Sequence, residues 1–210
     1  MTLLQITLLA GLLGAILMFL GDMTLYYDKN DYSSDDGLSS IIGIMKNVSR
    51  KRLYIGGMLG PISAFLYCVG FYHIVLFIDE RYFILGWTGF LVSCLGIICG
   101  GVYHSHCANL GLIGRHDNKD TLDEVFDFLK FQRRIVFVFC SIGYIIVTVI
   151  IFLDLTELPR WMFIFSQTVL IMFIPFLRKL PKGFHMILCG GWTNLVSVIY
   201  YVAVLIALYR

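Results

Sequence analysis

Residues 83–113 read FILGWTGFLVSCLGIICGGVYHSHCANLGLI, thirty-one positions without one Asp, Glu, Lys or Arg. As a continuous helix this run would measure about 46 Å at 1.5 Å per residue, more than the roughly 30 Å hydrocarbon core of a bilayer. It must therefore tilt, bend or protrude. Working outward, the chain offers five more apolar runs, at about 3–27, 55–78, 135–153, 160–177 and 184–209, each long enough to cross a membrane. The whole chain is 59% hydrophobic and 14% charged, with a mean hydropathy of +0.83. That composition excludes a disordered chain and a disulfide-stapled secreted domain, and a net charge of +2 gives no electrostatic footprint for nucleic acid. The expected fold class is all-α: a polytopic membrane protein, one domain over 1–210, built as a bundle of six transmembrane helices. The apolar start lacks a basic leader and a small-x-small cleavage site, so it is expected to remain as the first helix.

Thirteen of the sixteen Lys and Arg fall on one side of this alternation, and only Arg81, Arg160 and Arg210 on the other. Cytoplasmic loops retain positive charge, so both termini are expected on the non-cytoplasmic side. The two longer loops lie on the basic side. In one, Leu38, Ile41, Ile42, Met45 and Val48 recur at helical spacing, with Lys46 and Arg50-Lys51-Arg52 placed to meet anionic headgroups. In the other, Thr121 and Glu124 have capping-box spacing ahead of Leu122, Val125, Phe126 and Leu129. Two cytoplasmic interfacial helices are expected, the second lying along the membrane before turning into the fourth span. Solvated loops that only fix topology are the plainer alternative. The Ile-rich, Arg-poor composition fits an AT-rich bacterial genome, and hence a bacterial inner membrane.

All six cysteines, Cys68, Cys94, Cys99, Cys107, Cys140 and Cys189, fall in the apolar runs without a C-x-x-C, which reads as packing rather than redox chemistry. Asn47-Val48-Ser49 matches a glycosylation sequon by letters, on the side expected to be cytoplasmic. Phosphate-loop, zincin, nucleophile-elbow and dinucleotide motifs do not occur. No pair of matched, Gly/Pro-broken runs marks an inverted repeat.

Asp22 is the one acidic residue inside an expected span, and such a group is costly unless it faces the bundle interior with a partner. Gly11, Ala15, Met18, Asp22 and Leu25 step by three or four, so Asp22 shares the small-residue stripe through which membrane helices pack. In the third run Gly86, Gly89, Ser93, Gly96, Gly100, His104, Cys107 and Gly111 form a second stripe that carries His104 inward and His106 away. Both runs travel toward the cytoplasm, so Asp22 and His104 are expected to meet there. Gly190, Asn194, Ser197 and Tyr201 share a stripe in the last run. Gln167, within Ser166-Gln167-Thr168, is the polar residue of the fifth. The candidate catalytic pair is Asp22 and His104, with Asn194, Gln167, Tyr26, Tyr103 and His185 as ligand-binding residues. A carboxylate beside an imidazole suits acid/base work or proton relay. A hydrogen-bond network without chemistry is the competing reading. His73, toward the other end, reads as a satisfied structural histidine. No metal-ligand spacing such as H-x-x-x-H occurs, so no metal site is expected, and no cofactor is named by the residues. Gly56, Gly60 and Ser63 open the second run beside Pro61, which either kinks the helix or occupies its first turn.

Gly21-Asp22-Met23, the segment Gly60-Pro61-Ile62-Ser63-Ala64-Phe65-Leu66-Tyr67 leading to Gly70-Phe71-Tyr72-His73, and Tyr103-His104 resemble an uncharacterised bacterial group of small multi-pass membrane proteins. More distantly, the Gly-Asp pair ending one span and the later histidine resemble the multi-pass lysoplasmalogenase family, which hydrolyses vinyl-ether lysolipids. That resemblance implies a catalytic carboxylate at Asp22.

The leading expectation is therefore an integral membrane protein that binds or processes a small amphiphile or lipid in a cytoplasm-facing polar pocket. If it is an enzyme, it is a membrane-embedded lipid hydrolase. The alternatives are a small ion- or proton-coupled transporter or channel, and a membrane scaffold or accessory subunit. The expected partners are membrane lipids and, through the glycine-rich faces, a second copy of the chain.

Overall fold

The computed structural model describes residues 2–28, 39–116, 119–177, 179–180 and 182–208. Those residues form helices and turns: α1 (Leu3–Tyr26), α2 (Ser39–Asn47), α3 (Arg50–Phe71), α4 (His73–Phe77), α5 (Phe83–Ile113), α6 (Lys119–Phe152), α7 (Gln167–Ile171), α8 (Ile174–Leu177) and α9 (Lys182–Leu208). Among the described residues, five stretches are long and apolar enough to cross a membrane: Leu3–Tyr26, Arg50–Phe77, Glu80–Ile113, Lys119–Phe152 and Gly190–Leu208.

The helices are arranged for a lipid solvent, with glycines and alanines where helices touch and large apolar side chains on the outer faces. Gly11, Gly14, Ala15 and Gly21 of α1 are buried, while Leu9, Leu13, Ile16 and Leu20 of the same helix are exposed. The glycine stripe of α5 is buried along its length, His104 included. Neighbours meet in the order α6, α5, α3, α1, α9, and the segment from Arg160 to Leu177 packs against both α9 and α6, closing a ring. Inside it Tyr67, Phe71, Tyr144, Tyr200 and Tyr201 form an aromatic core. The glycine faces are used within the chain: Gly57 abuts Ala108, Gly60 abuts His104, and Gly101 abuts Ala64.

Two sequence expectations change, and two more take a definite form. First, residues 160–177 are not one helix. They form a 3-10 turn at Arg160–Phe165, an extended Ser166, then α7 and α8. Pro175 lacks an N–H and clashes with the carbonyl four residues back, and α7 ends at that residue, Ile171. Second, the expected membrane-surface helix at 121–134 does not turn into the fourth span. It is the first half of α6, which continues as one helix of 34 residues, about 51 Å long. No Gly or Pro lies between Lys119 and Gly143 to stop it. Third, α2 forms where an interfacial helix is expected, although Leu38 lies outside the described residues. Ile44, Met45 and Val48 are buried against Leu25, Leu53, Leu110 and Leu129, so α2 is seated across one end of the bundle. Fourth, Pro61 lies well inside α3, not in its first turn. The carbonyl it deprives of a donor is that of Gly57, which accepts a hydrogen bond from Ser105 Oγ of α5 at 3.0 Å. A second helix thus repairs the defect, as a water-free environment requires.

At the end away from α2, α6 stops in a Schellman turn. Asp154 takes a positive φ of 60°, and Leu155 N–H donates to the Ile150 carbonyl. Ile78 pairs with Thr156, joining the two loops there. Arg81 donates to both carboxylate oxygens of Asp79 and holds its pKa down at about 2. Tyr72, Phe83, Trp87 and Phe90 pack edge to face nearby, an aromatic belt of the kind found at membrane–water boundaries.

The helix contacts yield a paired expectation. A Cβ on Gly60 would clash with His104 Cβ and stand 2.7 Å from the Gly101 carbonyl oxygen, whereas on Gly100 its nearest neighbour would be 3.6 Å away. Gly60→Ala is expected to lower stability by about 1–3 kcal/mol and Gly100→Ala to leave it within about 0.5 kcal/mol, measured by unfolding in detergent.

Candidate functional site

Asp22 sits one turn before the end of α1 and His104 in the last third of α5, and the buried stripes of both helices face α3. Glycine lets the imidazole in. Besides Gly60, Gly21 faces the ring, and a Cβ there would come within 3.4 Å of His104 Nδ1. The result is a carboxylate–imidazole contact, His104 Nε2 to Asp22 Oδ1 at 3.2 Å, with both side chains 7% exposed. From α9, Asn194 Nδ2 donates to the other carboxylate oxygen, Oδ2, at 2.6 Å. Asn194 Oδ1 in turn accepts from the Tyr67 hydroxyl of α3 at 3.2 Å. One polar chain therefore links four helices in the order α5, α1, α9, α3.

The electrostatics explain the arrangement. Removing a carboxylate from water costs several kcal/mol, recovered only when its oxygens are hydrogen-bonded and a positive or donor group stands beside it. Asp22 has a partner on each oxygen. Arg52 acts on the same helix from outside: its Nε donates to the Thr24 carbonyl at 2.9 Å and its Nη2 to those of Tyr27 at 2.7 Å and Met23 at 3.4 Å. The carbonyls of Thr24 and Tyr27 belong to the last turn of α1, which lacks following donors, while that of Met23 also accepts the Tyr27 N–H. A basic side chain expected to meet headgroups instead fixes the helix end that carries Asp22.

Of the seven candidate residues, Asp22, His104 and Asn194 are joined directly. Tyr26 and Tyr103 lie one turn or less from them in sequence. Tyr26 shares a hydrogen bond with Cys107 Sγ at 3.1 Å, and Tyr103 stands against the same pair. Gln167 is buried at the start of α7, and its Oε1 has no hydrogen-bond partner among the described residues. The side chain of His185 lies outside the described residues. On the last stripe Asn194, Ser197 and Tyr201 are buried while Gly190 is exposed, its place inside taken by Gly191. Tyr67 was missed as a site residue, although Gly56, Gly60, Ser63 and Tyr67 continue one stripe at steps of four, three and four.

The remaining histidines are elsewhere. His73 Nδ1 donates to the Gly70 carbonyl at 2.6 Å, so its Nε2 accepts from the Tyr200 hydroxyl at 2.8 Å, a fully satisfied ring at the break between α3 and α4. His106 points at α6, where its Nδ1 donates to Gln132 Oε1 at 2.7 Å. Among the described residues no group of three or more His, Cys, Asp or Glu could hold a metal ion.

With this geometry in view, the comparison with known families has a clear outcome. The model described as "Family of unknown function (DUF6796)" matches residues 1–210. The chain belongs to the DUF6796 family. No curated protein and no solved structure matches this DUF6796 chain. It is an integral membrane protein by its apolar helices, in a family without an assigned activity.

Chemically, the site can hold a proton between a carboxylate and an imidazole, with an amide and a phenol fixing the carboxylate's orientation. The partners rank by charge. Tyr67→Phe removes one neutral interhelical hydrogen bond and is expected to cost about 0.5–2 kcal/mol. Asn194→Leu strips one partner from a buried carboxylate and is expected to cost more, about 2–4 kcal/mol. Unfolding of both variants in the same detergent measures the order.

Proposed function

We propose that this chain is a proton-linked membrane transporter of a small ion or solute, with Asp22 and His104 carrying the proton. The observation that supports the reading is the carboxylate–imidazole pair itself: the carboxylate of Asp22, buried within α1, with imidazole on one oxygen and Asn194 on the other. Intramembrane ionisable pairs of this kind mark ion pathways and proton relays. A proton needs no cavity, and a neutral or charged pair changes the helix packing around it. In this reading residues 160–177 form a sixth, broken span, both termini lie outside the cytoplasm as the charge bias favours, and the membrane is the bacterial inner membrane.

A second reading keeps the same residues for binding, and turnover, of a small amphiphile or lipid. It is favoured by His104 Nδ1, which is buried without a hydrogen-bond partner among the described residues. In the tautomer whose Nε2–H donates to Asp22, Nδ1 is an acceptor that a headgroup hydroxyl would satisfy. In that case Asp22 would act as the acid/base, as the lysoplasmalogenase likeness implies, and membrane lipid would be the partner.

Vesicles loaded with a pH dye, with the membrane potential clamped and the outside acidified, test the first reading. Wild type is expected to acidify the lumen faster than empty vesicles, alone or on adding a transported solute from a panel of cations, anions and metabolites, and Asp22→Asn to fall to the empty-vesicle rate. Native mass spectrometry from nanodiscs tests the second: a discrete lipid adduct lost in Asp22→Asn supports amphiphile binding. Equal acidification by wild type and Asp22→Asn, with no such adduct, would leave a scaffold.

A further inference from the structure

The Asp22–His104 pair has polar neighbours one helical turn nearer the basic end. On α1 the residue four beyond Asp22 is Tyr26, and on α5 the residue three beyond His104 is Cys107. The two helices that meet as carboxylate and imidazole therefore meet again as phenol and thiol. Tyr26 Oη and Cys107 Sγ share a hydrogen bond at 3.1 Å, and Tyr103 stands against both. Cys107 is 0% exposed, whereas Tyr26 and Tyr103 are half-buried, so the three groups run from the interior toward the surface. The charge of Asp22 is felt at Tyr26 and Cys107, and that of Arg133 on α6 at Tyr103 and Cys107. The cluster thus lies between the buried carboxylate and a cation of the basic end.

Apolar side chains seal the rest of that end. Leu25, Met45, Leu53 and Leu110 pack together with at most 1% exposure. In the other direction Asn194 leads from Asp22 to Tyr67, itself 0% exposed within the aromatic core. Tyr26, Cys107 and Tyr103 form a polar seam through the seal. We propose that this seam is the route by which protons pass between water at the basic end and the Asp22–His104 pair. A hydroxyl or thiol donates one proton and accepts another, so each group takes up a proton on one side as it releases its own on the other, and the seam is unchanged after a transfer. In the tautomer whose Nε2–H donates to Asp22, His104 Nδ1 holds a lone pair and has no partner among the described residues. Nδ1 takes the arriving proton, and Nε2 passes its own to the carboxylate. The purpose of the route rests on the transport reading, but its existence is measurable without transport.

Exchange of the His104 ring N–H with bulk water, followed by nitrogen NMR of histidine-labelled protein in bilayers moved into D2O, tests the route. Wild type is expected to exchange, and the near-isosteric Tyr26→Phe/Tyr103→Phe variant to exchange about tenfold more slowly, with the His73 ring N–H unaffected. Cys107→Ala should slow exchange as well, and Cys107→Ser, which keeps a relaying hydrogen, should restore it. Cys107→Ala against Cys107→Ser keeps the test available should the tyrosine variant not fold. A side chain that only packs would act with the opposite sign, because loosening the end of the bundle speeds exchange. A wild-type ring proton that does not exchange, or equal or faster exchange in the folded Tyr26→Phe/Tyr103→Phe variant, would overturn the proposal. Slowed exchange in a chain that carries no Asp22-dependent proton flux would contradict the transport reading while upholding the route.

Discussion

The structure turns on one carboxylate taken out of water. Asp22 lies in the span that begins the chain, and its two oxygens must find partners within reach or the helix could not remain where it is. The partners come from α5 and α9, and a third helix, α3, completes the chain through Tyr67. Each has to approach closely. The glycines at 21 and 60 therefore belong to the same constraint as the aspartate: a methyl group at Gly60 would press directly on His104. In lipid there is little hydrophobic drive between helices, so close packing and interhelical hydrogen bonds set the contacts.

A second consequence concerns interrupted backbone. Pro61 and Pro175 each remove a backbone N–H from an apolar segment, with different outcomes. At Pro61 the orphaned Gly57 carbonyl finds Ser105 on the neighbouring helix, and α3 continues. At Pro175 the carbonyl deprived of a donor is that of Ile171, where α7 ends before α8 begins at Ile174. One interruption is repaired by a neighbouring helix, whereas the other divides its segment into two short helices.

Much of this was legible in the sequence because membrane packing writes a simple code. Steps of three and four among small residues placed Asp22, His104, Cys107 and Gly111 on buried faces, and charge placement marked the ends of the runs. The same code led to Asn194. What it did not carry were effects set between helices. Hydropathy cannot distinguish a continuous helix from a broken one, so 160–177 read as a plain span. Thr121 and Glu124 signalled a helix start, yet nothing there told whether the helix would bend at the membrane, and α6 runs straight on. Arg52 looked like any cytoplasmic cation; only the position of the α1 carbonyls reveals it as their donor. Tyr67 was hidden among twelve tyrosines, although its stripe was in plain view.

The central claim is that Asp22 and His104 share a hydrogen bond inside the membrane domain. Nitrogen NMR of ring-labelled histidine in lipid bilayers tests it most directly, with His104→Phe assigning the resonance. The account predicts a His104 Nε2 that carries a proton, is hydrogen-bonded, and shifts when Asp22→Asn removes the carboxylate, while His73 and His106 stay put. A His104 resonance unchanged by Asp22→Asn would contradict it.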